Sequence, residues 1–207
     1  MRGIIYQNAL LYQIAARAMY GRNFRKRYET VAKYIQPGWR VLDICCGDCY
    51  LKKILPGTVQ YEGRDFNDVF IRYAKKRNIN AEYCDIKAGL HEEKKFDCVV
   101  MMSSLYHFIP EEDRVMDDMK RAASKRVIIS EPIKSLAMEK NAFVSMAAKI
   151  ISASGGQKLS EMKRFTYEDL KKTFKHHGVN ITIEEGKDLI GIFDISVFAR
   201  QCRKDTE

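Results

Sequence analysis

Acidic side chains stand at the ends of three predicted strands, where a ligand of an open sheet would bind. The strand "RVLDIC" carries Asp43, the strand "TVQYEGRD" ends on Asp65, and the strand "AEYCD" ends on Asp85. In open parallel sheets, ligands occupy the crevice outside the carboxyl ends of the strands. Carboxylates at that edge can accept hydrogen bonds from the hydroxyl and amino groups of a ligand. The sequence therefore predicts a site for a polar ligand.

The segment "CCGDC" after the first strand predicts a tight turn beside this site. Gly47 allows the backbone to approach a ligand closely, and amides at the start of the following helix favour an anionic group. A zinc site is disfavoured, because adjacent Cys45 and Cys46 in a strand point to opposite faces. Zinc would also need a second pair of ligands, which no CxxC or HxxxH pattern supplies. We therefore expect no metal, and we expect the six cysteines to be reduced.

Alternating strands and helices predict an α/β fold with a parallel sheet and helices on both faces. Two helices, 4–19 and 22–35, precede the first strand. Further strands are predicted at "FDCVVMM" and "RVIIS", with a helix at "EEDRVMDDMKRAA" between them. Thr166 and Asp169 resemble a capping box at the start of a later helix. The segments "VNITIEE" and "LIGIFDISVFAR" then predict a closing hairpin.

In their order, these segments resemble the class I S-adenosylmethionine-dependent methyltransferases. The segment "VLDICCGDCYL" is similar to the first motif of that family, and "YEGRDF", "AEYCDI" and "FDCVVMMSSLYHF" are similar to the motifs that follow it. The resemblance runs from about Trp39 to Pro132, and Asp65 stands 22 positions after Asp43. It implies a Rossmann-like, seven-stranded mixed sheet with the last strand antiparallel, roofed by a helical lid. It also implies S-adenosylmethionine (SAM) as methyl donor and S-adenosylhomocysteine (SAH) as product.

The resemblance assigns the cofactor to residues at the strand ends. Asp43 would act on the ammonium group, Asp65 would accept from both ribose hydroxyls, and Asp85 would accept from the adenine amino group. The other predicted cofactor-binding residues are Cys45, Gly47, Phe66, Ile86 and Ser103, with Phe66 and Ile86 as an apolar slot for adenine. Structural roles stay open for the acids, since Asp43 could brace the turn and the other two could cap the following segments. Because Asp65 lies in an open crevice, its removal is expected to change folding little.

The turn departs from the family at two of its three usual glycines, which are Cys45 and Cys49 in this chain. Cys45 is expected to stay extended, whereas Cys49 places a side chain where the loop meets the helix. A nicotinamide-dependent oxidoreductase on a similar sheet is disfavoured, because "CCGDCY" lacks the GxGxxG turn.

His107 and Tyr106 follow the fourth strand and are the predicted catalytic residues. Either could accept a proton from, or orient, an O-methyl acceptor with an apolar body. A packing role for His107 stays equally open. Asp97, at the opposite end of that strand, is predicted to be structural. His176 and His177 are predicted to be surface residues at a helix end.

The acceptor is predicted to be a small or lipid-like molecule. The net charge of +9 suits nucleic acid, but the basic residues are spread along the chain. The stretch "SSLYHF" also lacks the Asn/Asp-Pro-Pro-aromatic tetrad of enzymes that methylate nucleobase amines, and no cysteine stands where a pyrimidine-carbon methyltransferase needs one. An RNA or protein methyltransferase, or a cofactor-binding protein without turnover, is the alternative.

A single domain over residues 1–207 is predicted, with four parts. These are a helical cap (1–36), a cofactor-binding core (37–132), a lid insertion (133–163), and a closing helix and hairpin (164–207). The proposed lid surface, which could equally be core, comprises Tyr6, Tyr12, Tyr20, Met138, Phe143 and Met146. No apolar run is long enough to span a membrane and no secretory signal is evident, so a cytoplasmic location is expected. Contact of the basic cluster 22–27 with an anionic substrate or membrane surface, and the oligomeric state, stay open.

Overall fold

Seven strands form one sheet in the computed structural model, which describes residues 8–133 and 164–195. In chain order they are β1 (Arg40–Ile44), β2 (Gln60–Asp65), β3 (Ala81–Tyr83), β4 (Phe96–Met102), β5 (Ala123–Pro132), β6 (Ile181–Glu185) and β7 (Asp188–Asp194). Their order across the sheet is β3-β2-β1-β4-β5-β7-β6. The strands β1 to β5 pair in parallel, whereas β7 is antiparallel to both of its neighbours. The predicted mixed sheet with an antiparallel last strand is confirmed.

Five α-helices accompany the sheet in the described residues, and several begin at a capping side chain. They are α1 (Ala9–Tyr20), α2 (Asn23–Ala32), α3 (Asp68–Lys75), α4 (Glu112–Ala122) and α5 (Tyr167–His176). Asn8 and Asn67 accept hydrogen bonds from the first amides of α1 and α3. The predicted capping box of Thr166 and Asp169 is present at the start of α5. The short helix predicted after β1 is a single 3₁₀ turn, Tyr50–Lys53.

Strand side chains alternate between two hydrophobic cores, one on each face of the sheet. In β1, Leu42 and Ile44 pack with residues of α4 and α5, whereas Val41 packs with residues of α2 and α3. In β5 the same alternation places Val127 with the first core and Ile128 with the second. The predicted arrangement of helices on both faces is therefore confirmed, and the sheet edge is left free for a site.

Gly191 in β7 leaves room for an aromatic ring of the first core. A Cβ atom at this position would lie only 2.7 Å from Cε2 of Phe174, whose side chain is almost fully buried. We expect Gly191→Ala to reduce the free energy of unfolding by roughly 1 to 3 kcal/mol, because the packed ring has little room to move. Urea denaturation measures this. Gly57→Ala is the control, since nothing lies within 4 Å of its Cβ position, and an equal loss there would contradict the argument.

The N-terminal helices are held over the sheet edge by side-chain contacts with distant parts of the chain. In α1, Gln13 donates to Oδ2 of Asp48 at 2.7 Å and to the hydroxyl of Tyr73 at 2.9 Å. In α2, the hydroxyl of Thr30 donates to Oε2 of Glu185 in β6 at 3.0 Å. These contacts place α1 against the loop after β1 and α2 against the closing hairpin.

The predicted lid insertion lies outside the described residues, except for its first residue, Ile133. Tyr6, Met138, Phe143 and Met146 of the proposed lid surface are outside them too, whereas Tyr12 and Tyr20 are described in α1. Within the described ranges, no helix is both long and apolar enough to cross a membrane.

Candidate active site

A cavity of about 370 Å³ opens at the carboxyl ends of β1 to β5. Nine of the ten predicted site residues line it, namely Cys45, Gly47, Asp65, Phe66, Asp85, Ile86, Ser103, Tyr106 and His107. The N-terminal helices supply a further part of the wall, including Tyr12, Tyr20 and Arg27. The tenth predicted residue, Asp43, is not part of the lining. The volume is within the range of small-molecule sites.

The β1 loop, residues 45–49, holds three left-handed backbone conformations in five residues. Cys45, Gly47 and Cys49 have φ angles of 55°, 54° and 56°. The expectation that Cys45 stays extended is therefore wrong. Both cysteines adopt a conformation that costs a residue with a side chain roughly 1 to 2 kcal/mol. Glycine would adopt it without this strain, so the packing of the buried loop must offset the cost at Cys45 and Cys49. Gly47 lies under α1, with Tyr12 Cε1 3.7 Å from its Cβ position.

Asp65 connects the end of β2 to the β1 loop. Its Oδ2 accepts a hydrogen bond from the backbone N–H of Gly47 at 2.9 Å, and its Oδ1 accepts one from Asn67 at 2.8 Å. Only 5% of the residue is exposed. The expectation that Asp65 lies in an open crevice is therefore wrong, and because the carboxylate satisfies two buried amides, we now expect its removal to destabilise the fold. The same carboxylate lines the cavity.

Asp43 lies beneath the cavity. Its Oδ2 accepts a hydrogen bond from the hydroxyl of Tyr61 at 2.7 Å, and the residue is 3% exposed. Burial raises the pKa of its carboxyl to about 7, and the nearby carboxylates of Asp65 and Asp48 act in the same direction. Asp43 thus has a structural contact, which joins β1 to the start of β2. A contact with a ligand ammonium group would have to pass through the turn or through water.

Asp85 and its neighbours form the outer wall of the same end. Oδ1 of Asp85 accepts from the backbone N–H of Lys87 at 3.0 Å, so the capping role is present. Its side chain is exposed, and Ile86 beside it is buried. Phe66 is 44% exposed on the cavity wall. We call this end, with Asp65, Phe66, Asp85 and Ile86, the acid end.

Arg27 in α2 is a buried cation that also lines the cavity. Its Nε lies 2.8 Å from Oδ2 of Asp188 in β7, and the two side chains are 3% and 1% exposed. Its Nη2 donates to the hydroxyl of Ser103, and its guanidinium stacks 4.2 Å from the ring centre of Tyr20. Oδ2 of Asp188 also accepts from the hydroxyl of Ser130 at 2.8 Å. The sequence placed Arg27 in a basic surface cluster, and nothing in its local pattern indicated a partner so distant in the chain.

Tyr106 and His107 lie together on the 3₁₀ turn Leu105–Phe108 after β4. Their ring centres are 4.0 Å apart, and the guanidinium of Arg164 lies 4.7 Å from the ring centre of Tyr106. Burial lowers the pKa of His107 to about 4, and the cations of Arg164 and Lys87 act in the same direction. The imidazole is therefore neutral at pH 7, and it can accept a hydrogen bond but is a weak base. We call this end, with Tyr20, Tyr106, His107 and Arg164, the aromatic end.

Glu131 at the end of β5 holds the start of the 3₁₀ turn Leu105–Phe108 in place. Its Oε1 accepts hydrogen bonds from the backbone N–H groups of Ser104 at 2.5 Å and Leu105 at 2.6 Å. The residue is fully buried, and this burial raises the pKa of its carboxyl to about 8. The carboxyl of Glu131 is therefore largely protonated, and so uncharged, at pH 7.

The raised pKa of Glu131 predicts a pH-dependent loss of stability. The folded protein holds this proton more tightly than the unfolded chain, so stability falls as the pH rises from about 4.5 to about 8. Glu131→Gln keeps the acceptor oxygen and cannot ionise. Relative to wild type, its free energy of unfolding should gain roughly 1 to 3 kcal/mol between pH 5 and pH 8.5. Denaturant unfolding at both pH values tests this, with exposed Glu93→Gln as control. A constant difference would contradict it.

Two further interpretations from the sequence need correction. His177 is not a surface residue, because it is 4% exposed between Asp113 and Lys120 of α4. Its Nε2 lies 2.7 Å from Oδ1 of Asp113, and its Nδ1 lies 2.7 Å from Nζ of Lys120.

Among the described residues, one group of side chains has ligand atoms close enough to hold a metal ion, namely Asp113, His176 and His177. None of them lines the cavity. Asp97 is structural as predicted, accepting from the N–H of Arg40.

The second correction concerns Cys46 and Cys49, which form a CxxC pair in the β1 loop. Their sulfur atoms lie 3.4 Å apart. Spacing alone would have shown the pair, because cysteines three positions apart can meet across a tight turn.

Solved structures with the same fold include several methyltransferases. The carbon methyltransferase of CurJ matches with a TM-score of 0.66 at 13% identity, over 89% of this chain and 58% of that chain. Magnesium protoporphyrin IX methyltransferase (ChlM) from Synechocystis PCC 6803, with bound SAH, matches with a TM-score of 0.60 at 18% identity, over 87% and 92%. A SAM-dependent methyltransferase from Aquifex aeolicus matches with a TM-score of 0.58 at 16% identity, over 86% and 92%.

The chain therefore has the fold of the class I SAM-dependent methyltransferases, the fold that the motifs after β1 to β4 indicated. Residues 25–137, more than half of the chain, match the sequence profile described as "Methionine biosynthesis protein MetW". The chain belongs to the MetW family. Among curated proteins, no significant match is found.

Proposed function

We propose that this protein is an enzyme that transfers the methyl group of SAM to a small molecule. The observation that carries the proposal is the convergence of nine predicted site residues from four different strand ends on one cavity. The two ends of that cavity differ in chemistry, as the two substrates of a methyl transfer require. The cofactor would occupy the acid end, and the acceptor would occupy the aromatic end.

The acid end fits SAM by the chemistry of its donors and acceptors. Asp65 presents a carboxylate on the cavity wall, a group that can accept from ribose hydroxyls, and Oδ2 of exposed Asp85 is available to an adenine amino group. Phe66 and Ile86 supply apolar surface for the purine ring. Gly47 presents main chain without a side chain on the cavity wall, where an amino-acid moiety can approach it closely. When bound there, SAM would supply a methyl group on a positively charged sulfur.

The aromatic end suits an acceptor atom that is already nucleophilic. With its pKa lowered to about 4, His107 is too weak a base to deprotonate an alcohol efficiently near pH 7. Its neutral imidazole can instead hold the acceptor by a hydrogen bond and orient it for in-line displacement, which depends mainly on positioning. Aromatic rings of Tyr20 and Tyr106 line the space around an apolar body.

Cofactor identity is tested by calorimetric titration of the purified chain with SAM, SAH and NAD. We expect SAM and SAH to bind and NAD to give no heat. Binding of NAD alone would contradict the proposal. The acceptor class is tested by incubating the protein with methyl-labelled SAM and a fractionated cell extract, where label should enter small metabolites. Label in RNA or protein would contradict the small-molecule acceptor.

Replacement of His107 separates catalysis from cofactor binding. His107→Phe keeps a ring against Tyr106 but removes the nitrogen that would orient the acceptor. We expect turnover with the identified acceptor to fall by about tenfold or more, while SAH affinity measured by titration stays as in wild type. His107→Ala should behave in the same way. Unchanged turnover in both variants would show that His107 only packs.

The weak basicity of His107 also supports one alternative, a cofactor-binding protein without turnover. This alternative is distinguished by the same labelling experiment. A chain that binds SAH in the titration but labels no fraction of the extract would favour it over the enzyme.

A further inference from the structure

The two cysteines Cys46 and Cys49 enclose the ligand-facing glycine of the β1 loop. Their sulfur atoms lie 3.4 Å apart, and Gly47 between them lines the cavity. A disulfide bond requires about 2.05 Å between the sulfurs, so a shift of little more than about one ångström would close it. A CxxC pair at a strand-to-helix turn is the arrangement that dithiol redox sites use.

Gly63 in β2 provides the space that holds both sulfurs together. A Cβ atom at this position would lie 2.9 Å from Sγ of Cys46 and 3.0 Å from Sγ of Cys49. Any larger residue would therefore push the pair apart. Cys46 is partly exposed, whereas Cys49 is fully buried. Of the two residues, Cys46 is therefore the one nearer to solvent and the first that a co-reactant would meet, and Cys49 is placed to resolve the product.

The surroundings of the pair do not complete a metal site. Two thiolates need two further ligands for tetrahedral zinc. In the described part of the chain, the group of side chains able to hold a metal is Asp113, His176 and His177, which does not include either cysteine. The geometry therefore favours covalent chemistry between the two sulfurs over metal binding.

We propose that Cys46 and Cys49 form a reversible dithiol–disulfide site that controls cofactor binding by the β1 loop. The co-reactant is a low-molecular-weight disulfide. The thiolate of Cys46 attacks one sulfur of that disulfide, forming a mixed disulfide and releasing one thiol. The thiolate of Cys49 then attacks Sγ of Cys46, forming the Cys46–Cys49 bond and releasing the second thiol. The protein loses two electrons and two protons, and the co-reactant is reduced to two thiols.

Closure of the disulfide acts on the loop through Gly47. The N–H of Gly47 donates to Oδ2 of Asp65 at 2.9 Å, so the peptide that moves with the sulfurs is bonded to the residue that would hold the ribose. The oxidised loop should therefore bind SAM and SAH more weakly. The hydrogen bond with the Cys49 thiol raises the pKa of Cys46, and burial adds to this effect. Thiolate is scarce near neutral pH, so exchange should be slow and incubation should last hours.

The test uses the full chain, first reduced and then incubated with oxidised glutathione. Peptide mapping by mass spectrometry without reductant should show a loss of two hydrogens in the peptide that contains Cys46 and Cys49, reversed by dithiothreitol. Titration should show SAH affinity weaker by about tenfold or more in the oxidised form. Cys45→Ser, which removes the adjacent thiol of the same loop, should still form the bond. Cys46→Ser/Cys49→Ser should form none, and treatment should leave its SAH affinity unchanged. If this double variant does not fold, Cys46→Ser alone replaces it.

Two results would overturn the proposal. Pairing through Cys45, or a mixed glutathione adduct on Cys46 that Cys49 never resolves, removes the dithiol site. A Cys46–Cys49 bond that leaves SAH affinity unchanged removes its control of the cofactor. The proposed control of cofactor binding rests on the proposed function, and different results would contradict each of them. Reduced protein that does not bind SAH contradicts the methyltransferase proposal, while the peptide map still decides whether the disulfide forms.

Discussion

Asp65→Ala should reduce SAH affinity by about a hundredfold or more and should also destabilise the fold. The affinity falls because two ligand hydroxyls lose a charged acceptor, and hydrogen bonds to charged groups contribute roughly 1.5 to 3 kcal/mol each. Stability falls because the buried amides of Gly47 and Asn67 lose their acceptor. We expect a loss of roughly 2 to 4 kcal/mol in the free energy of unfolding. Titration with SAH and denaturant unfolding measure the two effects.

Asp97 provides the matched control, because it is a structural acid at the opposite end of the strands. It accepts from the N–H of Arg40 and pairs with Lys125 at 2.9 Å. Asp97→Ala should lower stability and leave SAH affinity as in wild type. If Asp65→Ala binds SAH as well as wild type, the cofactor does not lie at the end of β2.

Arg27→Met should cost roughly 3 to 5 kcal/mol of stability, because it leaves the buried carboxylate of Asp188 without its cation. Asp188→Asn alone should also be destabilising, since Arg27 stays charged in a buried position. The double variant should lose less than the sum of the two single losses, by about 1 kcal/mol or more. Urea unfolding of the four proteins gives the coupling energy.

Arg25 on the same helix is the control for this cycle. It is 67% exposed and pairs with Glu29 one turn away, and exposed ion pairs contribute little. Arg25→Met should therefore leave the unfolding transition unchanged. If the losses at Arg27 and Asp188 simply add, the two side chains do not stabilise each other.

The strands and the sheet edge could be predicted from the sequence because their signals are local. Apolar runs bounded by turns gave all seven strands, and acids at their ends gave Asp65 and Asp85 on the cavity wall. The capping box at Thr166 was predictable for the same reason. Each of these features depends on residues within a few positions of one another.

The features that escaped prediction depend on packing between distant segments. Cys45 adopts a left-handed conformation that only the buried loop imposes. Arg27 finds its partner in β7, and His177 is covered by side chains of α4. A single sequence contains no signal for such pairings, since an isolated arginine or histidine on a helix is usually exposed. The redox pair is an exception, because its CxxC spacing was visible.

The contacts between α2 and the closing hairpin also determine when the site can form during translation. Thr30 and Glu185 are 155 residues apart in the chain. A ribosome that adds about 5 to 20 residues per second needs on the order of ten seconds or more to synthesise that interval. The helix α2 is synthesised earlier, so Thr30 lacks Glu185 and Arg27 lacks the carboxylate of Asp188 until β6 and β7 emerge. Until then α2 lacks its contacts with the closing hairpin, and this is the stage at which a chaperone would meet apolar surface that β6 and β7 later cover.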